Sequence, residues 1–208
     1  MKKLLLILCL FSQHLQAQED TLVKNEVYTC LYSFTLKAPI YVAYKLYQGG
    51  GDCSRKNDSF KGIPGKTAID KDYDFHYDKG HVCPAEDFAY DCSKEKLTFS
   101  YFNCFPQTVA LNRGKWKSVE TTVRAMSQKD SLLIVAGGMY SVTKIGWNVT
   151  VPDICWKVVY SLSLKKVIIS KTFQNNSNPD MVDLDFDKLR FMLWSAYKID
   201  LLEIINGQ

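Results

Sequence analysis

The sequence predicts an α+β fold with a central antiparallel sheet flanked by helices, and three patterns support this prediction. Residues 28–36 and 40–46 alternate in polarity and are rich in aromatic and β-branched side chains, which is typical of paired strands. Apolar side chains recur at three- and four-residue steps over residues 114–128, which indicates a helix packed on one face. Residues 155–164 and 166–173 have the pattern of a further hairpin.

The first half of the chain adds a turn and a loop to this outline. Ala38-Pro39 is the predicted turn between the first two strands, and the glycine-rich residues 48–65 are predicted to be a loop. Residues 77–83 are expected to pass through a tight turn at Gly80, because glycine permits a positive φ or a close approach to a ligand.

The second half adds four elements to the prediction. In chain order they are a loop or short helix at residues 84–90, strands at residues 97–103 and 131–136, and a helix at residues 185–196. Gly137-Gly138 is expected to end the second of these strands. Asp183 or Asp185 is expected to cap the helix, since a short side-chain oxygen satisfies free backbone N–H groups.

The N-terminus has the pattern of a secretory signal peptide over residues 1–17. Lys2 and Lys3 form its charged start, residues 4–11 its apolar core, and residues 15–17 a cleavage site. The apolar run is too short to span a bilayer, so we expect no stable membrane anchor. We therefore expect a secreted or periplasmic protein whose residues 18–208 form one domain.

The cysteines favour disulfide bonds. The chain after the predicted signal contains an even number of them, at positions 30, 53, 83, 92, 104 and 155, as is typical of exported chains. The sequence does not choose among the pairings. A Cys83–Cys92 bond that closes the loop after His81 is one hypothesis, and several buried thiols are the alternative.

The net charge is too small to indicate a nucleic-acid partner by itself. It is +4 for the whole chain and falls to +2 when Lys2 and Lys3 leave with the signal. Any basic surface must therefore be local. We interpret most of the scattered basic side chains as solvated surface residues.

Two stretches contain the groups that metal-assisted phosphodiester hydrolysis needs. Residues 78–88, DKGHVCPAEDF, place His81 directly after a glycine. Residues 103–120, NCFPQTVALNRGKWKSVE, supply two asparagines, a tryptophan and a glutamate. Together they offer a base, a ligand for a hard metal ion and a carboxylate.

These stretches resemble the DNA/RNA non-specific endonucleases of the ββα-metal (His-Me finger) superfamily, which include endonuclease G-like enzymes. That family carries Asp-Arg-Gly-His, then Pro-Ala with an acidic residue, Asn-x-x-Pro-Gln, Asn-x-Gly-x-Trp and Glu. The matching positions follow in the same order, at residues 78–81, 84–87, 103–107, 112–116 and 120. Lys79 departs from the pattern, because it stands where the family usually has arginine and lacks the planar bidentate fork of that side chain.

The resemblance implies a ββα core, in which a helix lies against a two-stranded hairpin. It implies an endonuclease that cuts DNA and RNA without regard to sugar or base sequence and leaves 5′-phosphates. Mg²⁺ is the expected cofactor, with Mn²⁺ as a substitute. DNA and RNA are the expected partners, and a homodimer is left open.

The resemblance also assigns roles to individual residues. His81 is the expected general base, since a neutral imidazole can take a proton near pH 7. Asn112 is the expected metal ligand, although capping the following helix is a simpler role. Glu120 is expected to hold the waters of the metal, with a surface pair to Arg124 as the alternative. Asn103 either orients water or the active-site loop, or is an ordinary turn residue.

Three cationic residues are candidate phosphate contacts. Lys79 and Arg124 could stabilise negative charge. Arg55 is the only arginine that precedes the histidine motif, where the family has an arginine that stabilises the transition state. Asp78 is expected to fix the turn that presents His81.

Two alternatives compete with the nuclease hypothesis. The Lys79 departure would suit a non-catalytic nucleic-acid-binding module on a nuclease-like fold. A structural zinc site is the other alternative, although its spacing lacks the tight C-x-x-C pair of such sites. Its ligands would be His76, His81, Cys83 and Cys92.

Overall fold

A computed structural model describes residues 20–207 of the chain. The predicted signal peptide, residues 1–17, lies outside these described residues. Within residues 20–207 the fold is α+β, as predicted, with one seven-stranded and one two-stranded antiparallel sheet. No helix in this part of the chain is long and apolar enough to cross a membrane.

The large sheet has the strand order β1-β2-β3-β6-β7-β8-β9, and β4 pairs with β5 in the small sheet. The strands are β1 (Thr21–Lys24), β2 (Thr29–Ser33), β3 (Ala38–Leu46), β4 (Tyr77–His81), β5 (Cys104–Thr108), β6 (Leu132–Ile145), β7 (Val149–Ser161), β8 (Lys166–Gln174) and β9 (Met181–Asp183). The predicted early strand pair and the hairpin of β7 and β8 are confirmed.

The described part of the chain contains five α-helices. They are α1 (Cys92–Thr98), α2 (Val109–Leu111), α3 (Lys117–Ser127), α4 (Phe186–Tyr197) and α5 (Leu201–Asn206). A π-helical segment, Asn112–Trp116, joins α2 to α3, and the chain kinks at Gly114. Asp185 caps α4 by accepting a hydrogen bond from the Lys188 amide at 3.0 Å, which confirms one of the two predicted caps.

The turn between β2 and β3 was predicted at the wrong place. Ala38 and Pro39 belong to β3, and the turn precedes them, with Lys37 in the left-handed region at φ 53°. Pro39 pairs with Tyr32 next to a register shift. A proline, which has no N–H to donate, is tolerated beside such an irregularity.

Gly80 does not make the predicted turn. It lies within β4, opposite Phe105, and its φ is not positive. A Cβ atom built on Gly80 would lie 2.1 Å from Oε1 of Gln107. The glycine is therefore required by close packing between β4 and β5, and the chain reaches His81 in an extended conformation.

The strand predicted at residues 97–103 is wrong, whereas the strand predicted at residues 131–136 is confirmed as β6 but does not end where expected. Asp91 caps α1 by accepting hydrogen bonds from the Ser93 and Lys94 amides, so a helix begins at Cys92. The end of this helix and a short 3₁₀ turn occupy residues 97–103. The strand β6 continues through Gly137, whose missing Cβ admits the Trp156 ring. A glycine pair inside a sheet thus marks close packing here and not a strand end.

The large sheet is buried on both faces. One face packs against the small sheet and α3, through Phe105, Trp116, Val119 and Val123. The other face packs against α4 and α5, through Leu189, Leu193, Leu201 and Ile205. The sheet therefore supports the small sheet and α3 from behind, which fixes the elements that contain the sequence motifs. The strands β1 and β9 and the helices α1 and α5 were not predicted.

One disulfide bond joins Cys53 to Cys92 in the described part of the chain, and the predicted Cys83–Cys92 pairing is wrong. Cys83 is a buried thiol, as are Cys30, Cys104 and Cys155. Cys83 points into the main core cluster, where Cys92 at the exposed start of α1 does not reach it. The alternative of several buried thiols is confirmed.

Gly80→Ala should test whether packing, and not backbone freedom, requires this glycine. The new methyl group would overlap the buried side chain of Gln107, so we expect the free energy of unfolding to fall by about 2 kcal/mol. Chemical denaturation measures the change. In a Gln107→Ala background the same substitution should cost clearly less, and an equal cost in both backgrounds would contradict the packing explanation.

Candidate active site

The small sheet and α3 form a compact ββα unit. The strand β4 ends at His81, opposite Cys104 of β5, and β5 continues directly into α2 and the π-helical segment. Trp116, which is fully buried, donates from Nε1 to the carbonyl oxygen of His81 at 3.3 Å. This bond ties the end of β4 to the start of α3. Trp116 is thus a core residue.

A cavity of about 670 Å³ opens beside this unit. Its walls come from the end of β4, the 3₁₀ turn that follows, the π-helical segment, α3 and the loop before β4. The structure brings five of the predicted site residues to this one cavity: Arg55, His81, Asn112, Glu120 and Arg124.

His81 presents an unprotonated imidazole at this site. Phe60 and Phe99 flank its ring, with centroid distances of 4.8 and 4.9 Å. Burial, together with the positive charges of Arg55 and Lys79, lowers the pKa of His81 to about 3. Its Nε2 atom has no hydrogen-bond partner among the described residues. A neutral imidazole with an unused nitrogen is suited to accept a proton.

Asn112 is oriented by Asp78. The Asn112 side chain donates from Nδ2 to Oδ2 of Asp78 at 2.9 Å, which leaves its carbonyl oxygen as the remaining polar atom. Arg113 donates to both oxygens of the same carboxylate, at 2.9 and 2.8 Å, and these bonds lower the pKa of Asp78. The sequence predicted that Asp78 fixes a turn, and this prediction is wrong. Asp78 instead orients Asn112. Neither the π-helical segment nor α3 has a side-chain cap among the described residues, so the alternative role of Asn112 as the cap of the following helix is wrong.

Glu120 does not form the surface pair with Arg124 that was the alternative. Its Oε1 atom lies 3.5 Å from Nζ of Lys157, and the two side chains are only 13% and 1% exposed. Burial raises the pKa of Glu120 to about 7, and the Lys157 charge opposes this rise. Arg124 instead donates from Nε to Asp87 at 2.9 Å, and Asp87 also accepts from the Tyr44 hydroxyl at 3.1 Å.

Lys157 was missed in the sequence. Lys157 lies on β7 in the middle of the large sheet, and its side chain extends towards the buried end of the cavity. Its Nζ atom is 4.1 Å from the centroid of the Trp116 ring. Its only sequence signal is a charged residue inside the apolar run ICWKVVY, residues 154–160. A lysine at such a position requires a buried counter-charge, and Glu120 supplies it.

Lys79 and Asn103 do not line the cavity. The Lys79 ammonium pairs with Asp70 and lies 5.2 Å from the centroid of the Phe60 ring. Asn103 is fully buried and holds the chain just after His81: its Oδ1 accepts from the Cys83 amide at 2.8 Å and its Nδ2 donates to the Cys83 carbonyl at 2.8 Å. Its contacts favour the loop-orienting alternative for Asn103.

Arg55 enters the cavity from the long loop before β4. Its Nε donates to Oε1 of Glu95 at 3.1 Å, and its Nη2 pairs with Glu86, which also lines the cavity. The guanidinium therefore lies between a buried carboxylate on α1 and a half-exposed carboxylate at the cavity wall.

The side chains at the cavity fit a hydrated oxygen-seeking cation better than a zinc ion. Cys92 is held in the disulfide, so the proposed His/Cys zinc site is wrong, and within residues 20–207 no group of three or more His, Cys, Asp or Glu side chains could hold a metal. The carbonyl oxygen of Asn112 and the carboxylate of Glu120, which lines the same cavity, remain as oxygen donors. Such a set suits Mg²⁺, which keeps most of its water ligands.

The protonation state of His81 is directly testable. With a pKa near 3, its imidazole should stay neutral from pH 8 to pH 5 in metal-free protein. Nitrogen NMR of the ring measures this, and a His81→Gln spectrum identifies the signals. An inflection between pH 6 and 7 would contradict the buried, cation-flanked environment.

The Lys157–Glu120 pair should show a pH-dependent coupling. Lys157→Met leaves Glu120 buried without a counter-charge, which costs about 3 kcal/mol of the free energy of unfolding at pH 8. The cost should shrink towards pH 5, because Glu120, whose pKa is raised, is then protonated in the folded protein.

Urea denaturation of metal-free protein measures these costs. In a Glu120→Gln background, Lys157→Met should be much less harmful at pH 8. If its cost there is the same as in the wild type, the two side chains are not coupled.

Comparisons with known proteins agree with this geometry. A 27% identical relative, a "Salivary endonuclease" of Lutzomyia longipalpis, aligns over 217 residues. The alignment covers 83% of this chain but only 51% of that protein, so the chain spans about half the length of the relative. A chain in the crystal structure of the EndoG/EndoGI complex has the same fold, with a TM-score of 0.68 and 21% identity over 86% of this chain and 84% of that one.

The fold thus recurs in a chain of the EndoG/EndoGI complex, and the sequence motifs of this protein lie on its ββα unit. The sequence profile of the DNA/RNA non-specific endonucleases matches residues 10–206, which is nearly the whole chain. The chain belongs to the DNA/RNA non-specific endonuclease family.

Proposed function

We propose that this protein is a secreted, Mg²⁺-dependent endonuclease that hydrolyses phosphodiester bonds of DNA and RNA without regard to sugar or sequence. One observation carries the proposal: a neutral imidazole with an unpaired Nε2 lines the same cavity as an asparagine whose amide nitrogen is already held. Family membership supports the same chemistry.

His81 acts as the general base in this proposal. Its Nε2 takes a proton from the attacking water, and the low pKa keeps that nitrogen unprotonated at neutral pH. The hydrogen bond from Trp116 to the His81 carbonyl, together with the flanking Phe60 and Phe99 rings, fixes the direction in which the imidazole points. The base therefore needs no reorganisation before it accepts the proton.

Asn112 would hold the metal ion through its carbonyl oxygen, and Glu120 would accept hydrogen bonds from the waters of the ion. When bound, Mg²⁺ supplies positive charge that offsets the negative charge growing on the phosphate and leaving oxygen. Asp78 prevents the Asn112 amide from turning its nitrogen towards the cavity. Mn²⁺, which also favours oxygen ligands, is the expected substitute.

Arg55 and Arg124 bind the phosphate in this proposal. Both line the cavity, and each is held from behind by a buried carboxylate, Glu95 and Asp87 respectively. Contacts made to phosphate oxygens position a nucleic acid without reporting its sequence, so indifference to base and sugar follows. Lys79, which lies two residues before His81 in β4 and pairs with Asp70, would add only long-range attraction for the phosphate.

The Cys53–Cys92 disulfide supports the proposed location, because such bonds persist in oxidising compartments. We propose secretion or a periplasmic location on this basis. The homodimer and the 5′-phosphate products stay predictions.

Cleavage of supercoiled plasmid and single-stranded RNA by purified protein tests the proposed function. Both substrates should be cut with Mg²⁺ and neither with EDTA. His81→Ala should slow cutting by about 10²- to 10⁴-fold, because general-base catalysis contributes that much. His76→Ala is the matched control, since His76 is an exposed histidine that does not line the cavity.

The outcomes separate the two hypotheses about this fold. No cutting by folded, disulfide-bonded wild type with any of several divalent metals would overturn the proposal. If salt-sensitive binding of nucleic acid persisted in that case, the non-catalytic binding module would be the better explanation. Equal activity of His81→Ala and His76→Ala would remove His81 from the mechanism.

A further inference from the structure

We propose that the Cys53–Cys92 disulfide and Glu95 together form a clamp that positions Arg55 in the cavity. The inference rests on the proposed function, because it concerns how a phosphate-binding residue of that site is held. Neither Cys53, Cys92 nor Glu95 touches the reacting atoms, so they are positioning residues. Arg55 is the residue through which they act.

Arg55 needs an external support because the chain around it has no regular structure. Residues 48–60 contain no helix or strand. The backbone is held on either side of Arg55, where the Cys53 amide donates to the Ala89 carbonyl at 3.3 Å and the Lys61 amide donates to the Phe99 carbonyl at 3.1 Å. The Arg55 guanidinium itself would have many accessible positions without further attachments.

The clamp supplies two attachments to the same helix. Cys53 lies two residues before Arg55, and its partner Cys92 is the first residue of α1. Glu95, three residues later on α1, accepts from Nε of Arg55 at 3.1 Å. Because residues three apart lie on one face of a helix, the disulfide and the carboxylate act on the loop from the same side.

The two carboxylates at Arg55 have different roles. The Glu95 side chain is 1% exposed and holds Nε, so it is a permanent anchor. Glu86 is 40% exposed, lines the cavity and pairs with Nη2. A phosphate can replace Glu86 at Nη2 while Glu95 keeps its bond. The disulfide is required because an ion pair to an arginine that is 44% exposed holds a loop weakly by itself.

The test compares the effect of the clamp in proteins with and without Arg55. Cys53→Ser/Cys92→Ser and Glu95→Gln are made separately in wild type and in Arg55→Ala. Each should lower kcat/KM for single-stranded RNA cleavage about tenfold in wild type. In Arg55→Ala, neither should lower it further, because the group that the clamp positions is absent.

A matched control uses another cavity arginine. Arg113 is held by Asp78 and not by the loop, so Arg113→Ala should leave the tenfold effect of each clamp variant intact. Glu95→Gln keeps the disulfide and nearly the shape of the side chain, so it remains informative if the double serine variant is unstable. Circular dichroism at the assay temperature confirms that each variant is folded.

A second readout does not depend on turnover. Binding of a single-stranded oligonucleotide to His81→Ala in EDTA should weaken with either clamp variant, and only when Arg55 is present. Equal losses with and without Arg55, or no loss in either, would overturn the clamp. Absence of cleavage by the wild type would count against the proposed function, and the binding comparison would still decide the clamp.

Discussion

The geometry of the site depends on one carboxylate, Asp78, which joins β4 to the helical segment after β5. It accepts from Nδ2 of Asn112 at 2.9 Å and from two nitrogens of Arg113, and these bonds keep it charged. Without it, the Asn112 amide could present either its nitrogen or its oxygen to the cavity. Three residues later the same strand ends at His81, so one strand determines the orientation of both the proposed base and the proposed metal ligand.

Burial of charge beneath the cavity is the second constraint. Lys157, Glu120, Asp87 and Arg124 lie together at the floor of the site, and two of them, Lys157 and Asp87, are almost fully enclosed. Burying any one of these charges alone would be costly, but opposite charges in fixed positions offset one another. The large sheet, which provides Lys157, thus contributes to the site as well as supporting it. A fixed arrangement of charges is the condition for stabilising a transition state without reorganisation.

Local patterns in the sequence predicted much of this arrangement. The apolar spacing predicted α3, and the motifs predicted that His81, Asn112 and Glu120 lie together, as they do in one cavity. Features that depend on distant contacts were not predictable: the Cys53 partner, the buried position of Lys157 and the packing of Gly80 against Gln107. A glycine in the sequence does not show whether it serves a turn or a close approach, so Gly80 was assigned to the wrong one.

The central claim is that one cavity holds both the base and the metal ion. Titration with paramagnetic Mn²⁺, followed through the NMR signals of the His81 imidazole, tests it most directly. The account predicts that the His81 signals broaden at low Mn²⁺ concentration and that Asn112→Ala abolishes this broadening while the protein stays folded. If the His81 signals stayed sharp, or broadened equally in Asn112→Ala, the base and the metal ion would not share the site described.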